Sequence, residues 1–293
     1  MPYNASMSTV YLNGQMLPLS EAQISVLDRG FLFGDGVYEV IPVYNRRPLR
    51  LAQHLSRLND SLNGIHLDLS IDAAGWGEII QKVIDANQGD EQSVYLQVTR
   101  GAAEAREHAF PNKVSPTVFV MSSPIADIPA ADDIRGASAV TLEDVRWSLC
   151  NLKTVALLGN VLLKQEALTR GYDEAVLVRD DYATECSASN LFMVKEGRLL
   201  TPPKSRHLLP GITRDLVVEV AREHGFEVIE RDIHEAELSE ADELWFTSST
   251  KAIVPIVALN DRAVGSGEPG ALWREVLSYY RDYVEKLKRG EAS

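Results

Sequence analysis

Cysteine, positive charge and long apolar runs are all scarce in this sequence. Its two cysteines, Cys150 and Cys186, have no metal-ligand spacing and cannot form a disulfide framework, so a reducing compartment is the simplest expectation. The 42 acidic and 29 basic residues give a formal net charge of −13, which disfavours nucleic-acid and anionic-membrane surfaces. The N-terminus lacks a basic region followed by an apolar core, and no stretch of about 18 apolar residues occurs. We therefore expect a cytoplasmic protein without nucleic-acid or membrane partners.

Apolar residues, by contrast, are plentiful enough for a full core. They make up 45% of the 293 residues, which suffices for one large domain or two modest ones. The segment PIADIPAADD, residues 124–133, is polar and punctuated by proline, as is typical of a linker. We therefore predict an N-terminal domain at 1–123, a linker at 124–133 and a C-terminal domain at 134–293.

One lysine stands at the start of an apolar helical pattern. In NLKTVALLGNVLLKQEA, residues 151–167, apolar side chains recur at helical spacing, which predicts a largely buried helix with Lys153 at its head. A lysine in that position must reach water, form an ion pair or react. The simplest alternative is that Lys153 only reaches water from the helix end.

The region before the predicted linker combines a hairpin, helices and strands. Asn13-Gly14 predicts a two-residue hairpin turn, and the glycines of LDRGFLFGDG permit a close approach of backbone. Residues 51–67 predict a helix with an apolar face and a second face that carries His54, Arg57 and Ser61; Arg57 could be a solvated charge. The other predicted elements here are a helix at 73–87 and strands at 93–99 and 117–121.

A charged loop, RGAAEAREHAFP, lies between those last two strands. It concentrates Arg100, Arg106 and His108 near Phe110. Two arginines and a histidine can bind an anion, although charged loops are commonly just solvated.

The region after the predicted linker contains strands, hairpins and three helices. Hairpins are predicted to turn at Asp180-Asp181 and Glu196-Gly197, and Glu185 follows the first. LLPGITRD predicts a helix start whose free N–H groups, from Ile212 and Thr213, suit a phosphate. The tip Thr247-Ser248-Ser249-Thr250 adds hydroxyl groups that could hold phosphate oxygens. An ordinary capped helix and an ordinary polar loop are the alternatives. Strands are also predicted at 138–145, 227–233 and 243–246, and a final helix at 272–286.

Together these features match the needs of pyridoxal 5′-phosphate. Its aldehyde forms a Schiff base with a lysine, its pyridine nitrogen needs an acidic partner, and its phosphate needs an arginine and a helix N-terminus. The candidate for the Schiff base is Lys153, the candidate for the acidic partner is Glu185, and the candidate for the arginine is Arg57. The combination favours this cofactor, although each feature alone has an ordinary structural explanation.

The motifs also carry a resemblance over nearly the whole chain. LDRGFLFGDGVYEV, the QVTRG and R-x-HAFP loop, the lysine segment, TECSASNLF and LPGITRD occur in this order, and they resemble fold-type IV pyridoxal-phosphate aminotransferases, most closely the D-amino-acid aminotransferases. The resemblance implies an α+β fold with a smaller N-terminal α/β domain and a larger, β-barrel-like C-terminal domain with helices. It also implies a homodimer in which each active site lies between the two domains of one chain and includes loops of the partner subunit, among them the loop that carries Arg106.

The resemblance assigns roles to individual residues. It implies that Lys153 binds the cofactor covalently and that Glu185 pairs with the pyridine nitrogen. The segment AAEA before Arg106 looks one residue longer than the family pattern. The implied phosphate ligands are Arg57, Ile212, Thr213 and Ser249, with Ser248 beside them and Leu209 against the ring; Tyr38, Arg106 and His108 would hold the substrate carboxylate, and Tyr95 would line the pocket.

The implied reaction is a ping-pong exchange of amino groups between a D-amino acid, such as D-alanine or D-glutamate, and a 2-oxo acid, such as 2-oxoglutarate or pyruvate. Lys153 would move the proton from the substrate's Cα, and an apolar setting would favour its neutral form. The alternatives are a branched-chain L-aminotransferase, an (R)-amine transaminase, an aminodeoxychorismate lyase and a non-catalytic homologue.

Overall fold

The computed structural model describes residues 8–292, and their contacts group them into two units. The first unit comprises the chain up to Asp127 together with Leu152–Leu157 and the segment from Lys286 onward, whereas the second comprises Ile128–Asn151 and Leu158–Glu285. The predicted linker, residues 124–133, includes Asp127, after which the chain passes from the first unit to the second. A single linker does not describe the two later segments that pack with the first unit, and one of these contains Lys153.

The first unit is built on a six-stranded antiparallel sheet, in the order β2-β1-β6-β5-β3-β4. The predicted hairpin is confirmed, because Asn13 and Gly14 adopt φ values of 48° and 94° between its strands. The strands are β1 Thr9–Leu12, β2 Gln15–Pro18, β3 Gly36–Tyr44, β4 Arg47–Pro48, β5 Gln92–Thr99 and β6 Thr117–Pro124, and the helices are α1 Arg29–Phe33, α2 Leu51–Gly64 and α3 Ala73–Ala86.

Alternation along β3 and β5 gives this sheet two different faces. Val37 and Ile41 of β3 and Leu96 of β5 are fully buried in a core shared with Leu58 of α2 and Ile80 of α3, so burial of apolar area holds the helices on that face. The residues between them, Tyr38 and Tyr95 among them, are only half-buried on the opposite face. That second face is therefore partly exposed to solvent.

The second unit is built on a mixed sheet of ten strands among the described residues, in the order β12-β11-β10-β14-β15-β7-β8-β9-β13, with β16 beside β15. Both predicted hairpins are confirmed, with positive φ at Asp180, Asp181, Glu196 and Gly197. The strands are β7 Ala137–Glu143, β8 Glu174–Arg179, β9 Tyr182–Cys186, β10 Asn190–Lys195, β11 Arg198–Thr201, β12 Val228–Glu230, β13 Ile233–His234, β14 Glu243–Ser248, β15 Ala252–Leu259 and β16 Arg262–Ala263; the helices are α4 Leu158–Thr169, α5 Ile212–Glu223, α6 Glu235–Leu238 and α7 Ala271–Arg289.

The predicted helix at 151–167 is wrong in its first part and in its burial. Helix α4 begins at Leu158, and residues 151–157 are irregular. They run beside β3 instead, where Tyr38 donates a backbone hydrogen bond to the carbonyl of Lys153 at 2.9 Å. Only Leu163 and Ala167 of α4 are buried, while Leu158 is 70% exposed. The spacing of apolar residues along the sequence cannot show that residues 151–157 run beside β3 and do not form a helix.

One smaller difference concerns the second sheet. The single strand predicted at 227–233 is two strands, because Val228–Glu230 pairs with β11 while Ile233–His234 pairs with β9. The mixture of sheets and helices confirms the predicted α+β class. Across residues 8–292, every helix is too short or too polar to cross a membrane.

Candidate active site

The backbone of Lys153 is fixed on both sides. Its N–H donates to the Ser61 hydroxyl of α2 at 3.0 Å, and its carbonyl accepts from the N–H of Tyr38 at 2.9 Å. The next residue, Thr154, forms a bridge with Val37 of β3. The Nζ atom of Lys153 lies 4.1 Å from the centroid of the Tyr38 ring, a position that suits a cation–π contact when the amine is charged.

Tyr38 and Tyr95 stand side by side on the half-buried face of the first sheet. Their ring centroids are 5.6 Å apart, and the Tyr95 hydroxyl donates to Oε1 of Gln97 at 2.6 Å. Burial, and then the neighbouring Tyr38, raise the pKa of Tyr95 to about 12, so its hydroxyl keeps its proton at neutral pH. The structure thus brings Lys153 together with both predicted substrate-binding tyrosines.

Arg57 is not a solvated charge, because it is buried against a carboxylate. It lies on α2 and donates to Glu39 of β3 from Nε at 2.8 Å and from a terminal nitrogen at 2.7 Å. Glu39 also contacts Nδ1 of His54 at 2.7 Å. Burial would raise the pKa of Glu39, but Arg57 first and His54 second lower it to about 2. This bidentate pair fixes the guanidinium plane.

His54 completes the group as a neutral partner. Burial lowers the pKa of His54 more than the hydrogen bond to Glu39 raises it, and the charges of Arg57 and Lys153 lower it further. A neutral imidazole can donate from Nδ1 to the carboxylate without adding a second buried charge. His54, Arg57 and Ser61, which the sequence places on one helix face, therefore all contact the strand or the lysine segment.

Arg106 and His108 are exposed and meet at one aromatic ring. The guanidinium carbon of Arg106 lies 4.9 Å from the Phe33 ring centroid, and the His108 ring centroid lies 5.4 Å from it. The reactive lysine and the predicted substrate-binding residues thus form two clusters in the first unit. One contains Arg106 and His108, and the other contains Tyr38, Tyr95 and Lys153.

Arg100, the third cation of that loop, has a structural position instead. It is buried, donates to Asp35 at 2.8 Å and to the carbonyl of Ile65 at 2.6 Å, and lies 3.8 Å from the Phe110 ring centroid. Its hydrogen-bonding groups are therefore committed to the protein. The anion-binding interpretation of the loop rests on Arg106 and His108 alone.

Glu185 lies within β9, rather than after it, and its carboxylate is buried. It accepts hydrogen bonds from Arg146 at 2.5 Å, from the backbone N–H of Leu209 at 3.1 Å and from the Asn190 amide at 3.2 Å. Burial raises the pKa of Glu185 to about 7, while Arg146 acts in the opposite direction. A carboxylate poised in this way responds strongly to a further charged partner.

Arg146 is a site residue that the sequence analysis missed. It is held by Asp144, to which it donates at 2.8 and 3.0 Å, and Asp144 also pairs with Arg179 at 3.2 Å. Burial would raise the pKa of Asp144, but the hydrogen bonds and charge of Arg146 lower it. The ionised Asp144 fixes Arg146 behind Glu185. The pattern DVRW after β7 gives no signal for this role.

The predicted phosphate-binding helix start has the expected form. Helix α5 begins at Ile212, its N-cap is Gly211 without a side-chain cap, and both Ile212 and Thr213 are buried. A Cβ atom on Gly211 would lie 1.9 Å from Oδ1 of Asn190. Only glycine therefore allows the helix start to approach β10 this closely.

The hydroxyl-rich tip lies next to the same strand. Thr247 of β14 is paired with Asn190 of β10, and its hydroxyl is buried without a hydrogen-bond partner among the described residues. Ser248 ends β14, Ser249 lies in the following turn, and both are half-buried. Leu209 is also half-buried, and its carbonyl accepts from Asn190 at 2.8 Å. In the second unit, Asn190 thus connects Glu185, Leu209, the helix start and the tip.

A family model described as amino-transferase class IV matches residues 36–259. The chain belongs to the class IV aminotransferase family. Among curated relatives, this aminotransferase is 38% identical over 275 residues to the D-alanine aminotransferase of Bacillus licheniformis, covering 94% of this chain and 96% of the relative. It is 35% identical over 279 residues to that of Staphylococcus aureus strain COL, covering 95% and 99%.

Solved structures of this family share the fold of the aminotransferase. The branched-chain amino acid aminotransferase of Escherichia coli matches with a TM-score of 0.88 at 25% identity, covering 98% of this chain and 96% of the other. The branched-chain aminotransferase of the archaeon Thermoproteus uzoniensis, solved with norvaline, matches with a TM-score of 0.87 at 25% identity, covering 97% of each chain. The fold-type IV resemblance is confirmed.

Membership also settles the class of protein and its cofactor. The chain is an aminotransferase, and class IV aminotransferases use pyridoxal 5′-phosphate, so both predictions are confirmed. The roles of the individual residues stay predictions.

Proposed function

We propose that this aminotransferase exchanges amino groups between D-amino acids, such as D-alanine or D-glutamate, and 2-oxo acids, such as 2-oxoglutarate or pyruvate. The observation that carries the proposal is the pairing of exposed Arg106 and His108 on Phe33, in a chain 38% identical to a D-alanine aminotransferase. A guanidinium offers a carboxylate two parallel hydrogen bonds, and an imidazole beside it fixes the angle.

The residues of the second unit fit the cofactor. A buried carboxylate, Glu185, suits a protonated pyridine nitrogen, and its pKa of about 7 would fall beside that positive charge. An uncapped helix start at Ile212 and Thr213 suits a phosphate. The buried Thr247 hydroxyl, which makes no hydrogen bond in the described part of the chain, is consistent with a polar ligand nearby.

The remaining roles are proposed from the contacts that each residue makes. Leu209 would pack against the cofactor ring, because its N–H binds Glu185, the proposed partner of the ring nitrogen. Arg57 would contribute a positive charge to the phosphate while Glu39 holds its orientation. Ser248 and Ser249 would add hydroxyl donors from the end of β14.

Lys153 carries the reactive amine. Pyridoxal phosphate supplies an aldehyde that binds amines covalently and a ring that accepts electrons. Ser61 and Tyr38 hold the lysine backbone, so only the side chain needs to move while Nζ takes the proton from the substrate's Cα. Tyr38 and Tyr95 would line the pocket beside it, and the Tyr38 hydroxyl would donate a hydrogen bond to the substrate carboxylate.

The enantiomer follows from where the carboxylate is held. If Arg106, His108 and Tyr38 bind it on one side, a single enantiomer directs its Cα–H at Lys153. A branched-chain L-aminotransferase is the second candidate, because the solved structures of such enzymes match this fold with TM-scores of 0.88 and 0.87.

Absorbance spectroscopy separates these functions. The purified enzyme should be yellow, and D-alanine should bleach the band promptly while L-leucine and (R)-1-phenylethylamine act slowly. Bleaching by L-leucine but not by D-alanine would overturn the substrate class. The Lys153→Ala variant should lose or shift the band, whereas Lys82→Ala, on the exposed side of α3, should keep it. A colourless parent that ignores added pyridoxal phosphate would contradict the assignment of Lys153.

We also propose a cytoplasmic homodimer. Helix α4 exposes Leu158, Val161 and Leu162 by 58–70%, and such an apolar face is suited to a second copy of the chain. Light scattering after size exclusion should give twice the chain mass of 32.4 kDa; the mass of one chain would contradict the dimer.

A further inference from the structure

We propose that Arg29 and Phe33 of α1 position Arg106 and His108, and thereby set the enzyme's affinity for the substrate carboxylate. The proposal rests on the function proposed above, and it assigns a positioning role to two residues that need not touch the substrate. The loop concerned comprises residues 100–116, between β5 and β6, and is called the carboxylate loop below.

Both ends of the carboxylate loop are attached to the residue that caps α1. Asp28 accepts from the N–H of Gly30 at 2.8 Å, which starts the helix. The same carboxylate accepts from Thr99, at the end of β5, at 3.0 Å and from Thr117, at the start of β6, at 2.6 Å. Gly30 is required for this approach, because a Cβ atom there would lie 2.2 Å from Thr99 Cγ2.

The middle of the carboxylate loop is attached to Arg29. This buried guanidinium donates to the carbonyl of Glu107 at 2.6 Å, to that of His108 at 3.2 Å and to that of Ala109 at 3.4 Å. Three consecutive carbonyls on one guanidinium fix the backbone direction around His108. The two hydrogen bonds longer than 3 Å contribute less than the first.

Arg29 is itself held by a second attachment. Its Nε donates to Asp35 at 2.7 Å, and Arg100 donates to the same oxygen at 2.8 Å. Burial would raise the pKa of Asp35, but Arg100 and then Arg29 lower it, so the carboxylate is ionised at neutral pH. Arg100 continues to the carbonyls of Ile65 and His66 after α2. The anchor is therefore a connected network.

Phe33 contacts the two side chains that the backbone anchor does not reach. Arg29 lies on its ring at 4.8 Å and Arg106 at 4.9 Å from the centroid, while the His108 ring is 5.4 Å away. Arg106 and His108 are otherwise exposed, so this ring restricts their rotamers. The extra residue before Arg106 need not displace this arginine. The two ends of the carboxylate loop are held by Asp28, its backbone at 107–109 is held by Arg29, and the Arg106 side chain is held by Phe33.

A double-mutant cycle tests this role. Phe33→Leu keeps an apolar side chain but removes the ring, and it should raise KM for D-alanine about five- to tenfold with kcat nearly unchanged. Arg106→Leu should raise KM more. Because Phe33 acts through the pair, the double variant should be clearly less impaired than the product of the two single effects. Phe31→Leu, on the exposed side of α1, is the matched control and should change nothing.

Measuring dissociation constants for the same four proteins distinguishes a failure of the positioning role from a failure of the proposed function. The dissociation constant of propionate, measured from the shift of the cofactor band, should show the same coupling without turnover. If D-alanine fails to bleach the parent, the proposed function is wrong; if D-alanine reacts but the effects of Phe33→Leu and Arg106→Leu multiply in both readouts, the positioning role is wrong.

Arg29 is tested by a milder change and a second readout. Arg29→Lys keeps the charge but can reach fewer carbonyls. It should raise KM for D-alanine and also speed tryptic cleavage after Arg106 or Lys113, while Phe31→Leu should do neither. Unchanged cleavage together with an unchanged KM would overturn the role of Arg29.

Discussion

The hydroxyl of Ser61 accepts a hydrogen bond from the backbone N–H of Lys153 at 3.0 Å. Ser61 lies one turn beyond Arg57 on α2, so a single helix face supports both the candidate phosphate ligand and the candidate reactive lysine. Removing the hydroxyl would take away this hydrogen bond, while the backbone hydrogen bonds to Tyr38 and Gly36 of β3 would remain.

We therefore expect Ser61→Ala to lower kcat about two- to tenfold, the effect of one lost hydrogen bond of about 0.5–1.5 kcal/mol on a positioned group. Ser56→Ala, on the exposed side of the same helix, should leave kcat unchanged. Steady-state kinetics with D-alanine makes the comparison, and equal kinetics for the two variants would contradict the positioning role of Ser61.

Glu39→Gln should destabilise the protein by about 3–5 kcal/mol, because Arg57 would remain buried without its ionised partner. Glu166→Gln breaks an exposed ion pair with Arg170 and should cost less than about 1 kcal/mol. Urea unfolding at pH 7 measures both. Since the pKa of Glu39 is lowered to about 2, its contribution is present above the ordinary value of 4.5 and should be lost as the pH falls towards 2.

Glu185 should have the opposite pH dependence in the cofactor-free enzyme. Its folded pKa of about 7 lies above the ordinary value of 4.5, so its contribution to stability is present below pH 4.5 and is lost as the pH rises through 7. Between pH 5 and 8 the parent should lose on the order of 2–3 kcal/mol relative to Glu185→Gln, which cannot ionise. A parallel pH dependence of the two unfolding free energies would contradict this assignment.

Gly211→Ala should weaken cofactor binding at least tenfold. The added Cβ would collide with Asn190, which holds Glu185 and Leu209, and that residue cannot move without disturbing both. Gly77→Ala provides the control: its Cβ would meet nothing within 4 Å in α3, so it should stabilise the helix by about 0.5–1 kcal/mol. Titration with pyridoxal phosphate and thermal unfolding measure the two variants, and undiminished affinity in Gly211→Ala would count against the helix start as a phosphate site.

Local signals predicted much of the fold correctly. Turns at Asn13-Gly14 and Glu196-Gly197 could be predicted because positive φ favours few residue types, and α5 because Gly211 and Gly225 flank an amphipathic pattern. The helix assigned to Lys153 was wrong, since apolar period does not report long-range pairing with β3.

The candidate site could be predicted only where a motif marks it. The family resemblance indicates Arg57, but it assigns no role to its partner Glu39. The contact of Glu39 with Arg57 arises because the alternation of side chains along β3 directs this carboxylate towards α2. A charge in that register requires a buried partner, so the alternation of β3 could have indicated the pair. Arg146 gave no such indication, because its contact with Glu185 joins residues 39 positions apart.

Adjacent residues of β3 serve opposite sides of the sheet. Tyr38 faces Tyr95 and the lysine amine, while Glu39 faces Arg57 and His54. Inserting or deleting one residue in this strand would exchange the two directions, placing a carboxylate beside the reactive amine and a phenol against a buried guanidinium. The alternation of β3 therefore makes this strand intolerant of a change in length, and a one-residue insertion within it should disrupt both groups of side chains.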